Sequence, residues 1–310
     1  MRRQESAGVA DLEPVVPIGE LEPATGRRRR RSLRGHTTGI IGTVIVVGMA
    51  LAAIVGPWLL GIDPNAQELS DRLLPPWSQS GDGSTLHILG TDDLGRDVLA
   101  RVLEGGRASL SVVALGVVVG CSLGMTVGIT SGFRGGRLDI VLMRVVDAQL
   151  AIPLLISALL VATILGTGFM NTAVALGIAS WAVYARLIRA ETLKLRGLDF
   201  FEATVALGSS DRRLVFRHLI PNLISTVFVV ASLEMGGLVV TESSLSYLGL
   251  GMQPPDASWG SMIRSAQPLI TTAWWLAAIP GTAVMLVVLG FNLMGDWLRD
   301  VLDPQSKQRV

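Results

Sequence analysis

The stretch LDFFEATVALGSSDRRLVFRHLIPN, residues 198–222, interrupts two strongly apolar segments with a polar, arginine-bearing passage. Phe200, Ala203, Thr204 and Leu207 recur at i, i+3, i+4 and i+7, one stripe of a helix over residues 199–207, with Glu202 standing off it. Gly208 ends that helix. Ser209 and Ser210 are placed to cap a second helix running to Leu219, and Pro221 marks a turn into the next apolar run. A short amphipathic helix held outside a membrane is a docking surface, and the flanking sequence supplies the membrane.

Half of the 310 residues are hydrophobic and only 16% are charged, a balance that places the chain in the membrane class. Cys121 is the single cysteine and lies in an apolar run, so it reads as a small packing residue. The two lysines, Lys194 and Lys307, do not follow a glycine, which excludes a phosphate-cradling G-x-x-x-x-G-K loop. Any ATP chemistry must come from another polypeptide. His36, His87 and His218 are far apart and fit no zinc spacing, and no G-x-S-x-G elbow is present, so the chain does not read as an enzyme.

Residues 1–38, with three prolines and an arginine run at 27–31, read as a disordered basic tail whose arginines fix topology near anionic lipid. Residues 39–60 carry no charge and are long enough to cross a hydrocarbon core of about 30 Å. The polar segment 61–107 follows. Within it Thr91, Asp92 and Asp93 are expected to open a short interfacial helix, closed by Gly105 and Gly106, with Leu94, Val98 and Val102 on one face. The second span, 108–130, repeats glycine every fourth residue at 116, 120, 124 and 128, continued by Gly132. This ridge without side chains admits a neighbouring helix closely, read as packing within the chain.

The third span covers 140–165, with Arg144 and Asp147 spaced for an ion pair and Pro153 for a kink. The fourth covers 170–187. The fifth, 222–245, contains Glu234 and Glu242. A mid-bilayer carboxylate costs on the order of 3 kcal/mol, so both are expected to face protein or a water-filled path. A Gly- and Pro-rich loop, 246–272, precedes the sixth span, 273–294. With both termini cytoplasmic, 21 of the 26 Lys and Arg fall on the inner side together with residues 198–222, as the positive-inside rule requires.

Glu202, Ala203, Thr204, Gly208 and the HLIP at 218–221 resemble the cytoplasmic loop of binding-protein-dependent ABC importer permeases, E-A-A, three residues, G, nine residues, I-x-L-P. Thr204 replaces the second alanine of that pattern. LGTDDLGRDVLAR (89–101), AIP (151–153), ESSLSYLGLG (242–251), QPPDASWG (253–260) and DPQ (303–305) are similar to the C-type permease subunits of the dipeptide, oligopeptide and nickel systems. The resemblance covers about 37–305.

The resemblance implies an all-α, polytopic protein of six transmembrane helices with the type I ABC importer permease fold. Its parts would be an anchor helix with an outer loop (39–107), a core of five helices with a coupling loop (108–305 and 188–221), and a short tail (306–310). It implies a multi-pass protein of the cell membrane that forms half of a peptide pathway with a second permease subunit. Two ATPase domains or subunits, which hold the ATP and Mg, and an extracytoplasmic solute-binding protein complete the system. This chain is expected to bind no cofactor, metal or nucleic acid, and to touch lipid.

Phe200, Glu202, Ala203, Thr204, Leu207, Gly208 and Pro221 would couple to the ATPase. Glu242 and Glu234 are candidates for the path. Asp93, Arg96, Asp97, Pro254, Pro255, Asp256 and Trp259 are candidates for contact with the binding protein. A nickel permease and an ATP-independent secondary transporter are the alternatives. The latter calls for coupling acids and often shows inverted repeats.

Overall fold

The computed structural model describes residues 26–302, apart from 82 and 84. Residues 1–25 of the expected tail and residues 303–310, including the DPQ motif, lie outside the described residues. Helix α1 spans Gly26–Leu60, so residues 26–38 are helical where a disordered tail was expected. A short polar segment follows, with a 3-10 turn at Leu69–Asp71 and the antiparallel pair β1 (Ser78–Gln79) and β2 (Leu86–His87).

The expected outer helix does not exist as a separate element. Helix α2 runs unbroken over Val98–Arg134, 37 residues and about 55 Å long. Its start is fixed by Asp97, whose carboxylate accepts the Ala100 N–H at 2.9 Å. Gly105 and Gly106, read as its end, lie inside it, and their role is close approach. A methyl group on Gly106 would sit 2.8 Å from the Trp259 indole, and one on Gly105 3.3 Å from the Ser258 backbone.

The bundle is built from α2, α3 (Gly136–Leu150), α4 (Leu154–Leu165), α5 (Phe169–Arg196), α8 (Ile220–Tyr247) and α10 (Trp275–Leu302), with α1 outside on α2 and α10. The glycine ridge of α2 seats α5: Gly116 faces Leu176, Gly120 faces Ser180, Gly128 faces Ala185 and Ile188, and Gly132 faces Thr192. Both residue numbers rise together, so α2 and α5 are parallel. The chain must therefore cross the bundle once between them, and α3 and α4 make that crossing jointly.

Neither half of that crossing is long enough alone, at about 22 Å and 18 Å against a core of about 30 Å. They meet at 95°. Pro153 is the cause, because it lacks an N–H and bars Ile152 from helical geometry. Gln149 ties the corner, its amide donating to Ser157 Oγ at 2.7 Å and to the Ala179 carbonyl at 3.4 Å.

The same reasoning fixes the other directions. Gly56 meets Leu103 while Gly106 meets Ala53, so α1 opposes α2; Gly42 meets Met294 while Gly39 meets Trp297, so α1 opposes α10; Gly236 meets Asn292 while Gly295 meets Leu233, so α8 opposes α10. Six crossings result, and the start of α1, the end of α10 and the α5–α8 connection share one end of the bundle. Below, this is the α6 end, after the helix α6 (Asp199–Ala206) that lies there; the other is the loop end.

One sequence expectation fails toward the α6 end. Asp147 pairs with Arg186 of α5 and not with Arg144, because it is turned toward α5. About two turns nearer the end, Asp139 takes Arg189 in a bidentate pair at 2.5 and 2.6 Å, which clamps α3 to α5.

Candidate functional site

At the α6 end the connection from α5 to α8 is short and anchored at both sides. Arg196, the last residue of α5, donates to the Gly132 carbonyl of α2 at 2.9 Å and lies 5.9 Å over the Phe133 ring. Helix α6 begins after Leu198, whose carbonyl accepts the Phe201 and Glu202 N–H groups at 2.9 and 3.2 Å. Asp199 and Glu202 in its first turn suit the positive end of the helix dipole. Thr204 folds its hydroxyl back to the Phe200 carbonyl at 2.7 Å, and Gly208, at φ +76°, ends the helix in a geometry that glycine takes without strain.

The two faces of α6 differ sharply. Phe201 is 3% exposed and belongs to the same buried cluster as Leu214 and Leu219, so it is the anchor. Its neighbour Phe200, edge-on to it at 6.4 Å, is 45% exposed, and Leu207 is 88% exposed. Glu202, Ala203 and Gly208 are exposed and Thr204 is half-buried. The stripe expected from sequence is thus brought together as an apolar ledge projecting from the bundle. Phe201 escaped the sequence reading because two adjacent phenylalanines fit either face. No local signal separates the two, because Leu214 and Leu219, buried in the same cluster as Phe201, lie beyond Gly208 in the sequence.

Pro221 is not part of this ledge. The separate second helix is also absent: α7 (Asp211–Arg213) passes through a π-helical turn, Leu214–Leu219, straight into α8. Pro221 has no N–H to offer the turn before it. The ladder shifts by one residue to accommodate this, with Ile220 N–H donating to the Val215 carbonyl, so the chain does not turn there. Ser210 occupies the N-cap position of α7 without a side-chain cap bond.

Glu242 does not line a surface. It is fully buried, its carboxylate accepting the Ser246 hydroxyl at 2.8 Å and, more distantly, that of Ser243 at 3.4 Å. Of the two settings expected for it, protein or a water-filled path, Glu242 here faces protein, because α2 and α9 (Trp259–Ala266) close over that end of α8. Glu234 is half-buried on α8, beside Leu233. Leu233 lines a cleft of about 420 Å3 between α5, α8 and α10 at the α6 end.

At the loop end, Arg96, Asp97 and Trp259 are buried within the chain, where they hold its own elements together. Arg96 donates to Asp92 at 2.7 Å, and the Trp259 indole donates to the Val102 carbonyl at 3.0 Å, which fixes α9 on α2. Asp97, besides capping α2, bonds His87 Nδ1 at 2.8 Å, while Ser80 Oγ lies 3.1 Å from His87 Nε2. This locks the β1–β2 hairpin to the start of α2. Asp93 is half-exposed and Pro254, Pro255 and Asp256 are exposed, four candidates on the outside of the loop end. The 246–272 loop contains α9, begun by a capping box between Ser258 and Ser261 that the sequence reading missed.

Comparison with known proteins places these features in a family. Residues 124–308 match the binding-protein-dependent transport system inner membrane component, and residues 25–76 match the N-terminal transmembrane domain of oligopeptide transport permease C. The dipeptide transport system permease protein DppC of Escherichia coli (strain K12) is 40% identical over 269 residues, covering 87% of this chain and 89% of that one. The di/tripeptide permease protein DppC of Pseudomonas aeruginosa (strain UCBPP-PA14) is 38% identical, covering 88% and 90%. The glutathione transport system permease protein GsiD of Pectobacterium atrosepticum is also 38% identical, covering 90% of each chain. With six crossings, one broken at Pro153, and a match that runs through α6, the chain belongs to the inner-membrane permease components of binding-protein-dependent transport systems.

Proposed function

We propose that this permease forms half of the pathway of an ATP-driven importer of di- or oligopeptides, paired with a second permease subunit. The observation that carries this reading is the α6 ledge: Phe200, Ala203 and Leu207 project from a base held by Phe201 and Arg196. A small apolar ledge on a rigid mount suits a groove in a cytoplasmic ATPase. Because α6 directly joins α5 to α8, displacement of the ledge would tilt two crossings against the rest of the bundle, a switch between inward and outward access. ATP and Mg reside on the two ATPase domains or subunits, and an extracytoplasmic binding protein delivers substrate at the loop end, against Asp93, Pro254, Pro255 and Asp256.

Charge supports the orientation. Among the described residues most Lys and Arg lie toward the α6 end, which by the positive-inside rule supports a cytoplasmic α6 end, with the termini on the same side. The peptide assignment draws on relatives named for dipeptides, di/tripeptides and glutathione. Uptake of a labelled dipeptide into proteoliposomes holding the full complex tests it. Uptake should require ATP and the binding protein, and uptake that persists with inactivated ATPase would contradict it.

A further inference from the structure

One face of α8 is left uncovered by the rest of the chain. Ser225, Val229, Leu233, Gly237, Val240 and Ser244 follow at three- and four-residue spacing, so they form one stripe along the helix. Ser225 and Val240 are exposed, and a methyl group on Gly237 would meet nothing within 4 Å. At the α6 end this stripe opens into the α5–α8–α10 cleft, whose volume of about 420 Å3 falls in the range of small-molecule sites, roughly 300–1,000 Å3.

The polar groups of that cleft come from three helices: Glu191 from α5, Ser225 and Thr226 from α8, Arg299 from α10. Among the described residues neither charge is held in a close pair. Glu191 has only Lys194, an exposed neighbour at 3.5 Å on its own helix, and such pairs hold weakly. Arg299 has no acidic partner within 4.0 Å among the described residues.

The pairing of charges selects the ligand. A lipid phosphate would be repelled by Glu191, a purely cationic solute by Arg299, and a metal ion would find a single carboxylate. A zwitterion satisfies both charges, and an amide between its ends can meet two hydroxyls.

We propose that the cleft is a subsite for short zwitterionic peptides, with Glu191 receiving the ammonium, Arg299 the carboxylate, and Ser225 and Thr226 the intervening amide. This rests on the peptide-import reading and names where the substrate is held on its way through. Binding there is weak, since a conducting site must release what it takes.

The test uses the complete transporter in lipid nanodiscs without its binding protein, with saturation-transfer NMR reporting binding of alanyl-alanine, its N-acetyl form and its amide. The wild type should prefer the free dipeptide about tenfold over either capped form, the scale of one charge-assisted hydrogen bond. Arg299→Gln should abolish the preference over the amide and keep that over the N-acetyl form, and Glu191→Gln should do the reverse. General damage to the fold would not give this reciprocal pattern.

Equal binding of all three probes by the wild type would overturn the subsite. So would preferences that survive both substitutions, or a uniform loss of all three probes in both variants. ATP-dependent uptake of alanyl-alanine with the binding protein present separates the two readings. Uptake without the reciprocal pattern removes the subsite alone, and absence of uptake removes the import reading with it.

Discussion

Adjacent residues at the α6 end carry opposite duties, and substitution separates them. Phe200→Ala removes part of the ledge but leaves the bundle untouched, so the complex should assemble normally while ATP-driven uptake falls. Phe201→Ala empties a buried site, a change that costs about 3–5 kcal/mol in well-packed cores, and should release α6 from its base. Limited proteolysis between α5 and α8 distinguishes them, with faster cleavage expected for Phe201→Ala only. Glu242 makes a second residue-scale case. Glu242→Gln keeps an acceptor for the Ser246 hydroxyl and should retain assembly and uptake, whereas Glu242→Leu leaves that buried hydroxyl unpaired, at about 1–3 kcal/mol, and should lower the yield of folded protein on size-exclusion chromatography.

Among the elements, the α2–α5 pair is the one whose contacts were most legible in the sequence. Glycines at every fourth position dictate a flat ridge, and the structure uses the whole ridge against α5. Gly128→Val should therefore be severe: its first carbon alone would lie 2.7 Å from the Ala185 carbonyl oxygen and 2.9 Å from Ile188 Cβ. Overpacking of this kind costs about 1–3 kcal/mol, which a thermal unfolding scan in detergent would register, while Gly237→Val on the uncovered face of α8 should leave that scan unchanged. The helix stripe at residues 199–207 was legible for the same reason, since its period is local.

What the sequence concealed depends on long-range partners. Gly105 and Gly106 look like a helix end until Trp259, more than 150 positions away, is seen to need the room. Pro221 looks like a turn because proline usually breaks a helix, yet a π-type shift absorbs it. For Glu242 the sequence leaves open protein or a water-filled path, and only the folded chain shows that α2 and α9 pack over it. The Asp139–Arg189 clamp and the Glu191–Arg299 cleft join residues from different helices, and no periodicity announces them.

Across the whole molecule, helix directions and charge support one another. Parallel α2 and α5 require the broken α3–α4 crossing, which gives six crossings and puts the described ends of the chain beside α6. The account's central claim is that this shared end is cytoplasmic and grips an ATPase through α6. Cysteine scanning of Phe200, Phe201, Ala203 and Leu207, followed by bifunctional crosslinking in the intact transporter, tests it most directly. Ala203→Cys and Leu207→Cys should crosslink to the ATPase and Phe200→Cys more weakly, with Phe201→Cys silent because that position is buried. Crosslinks absent from every exposed position, or labelling of Ala203→Cys by an impermeant reagent from outside intact cells, would contradict it.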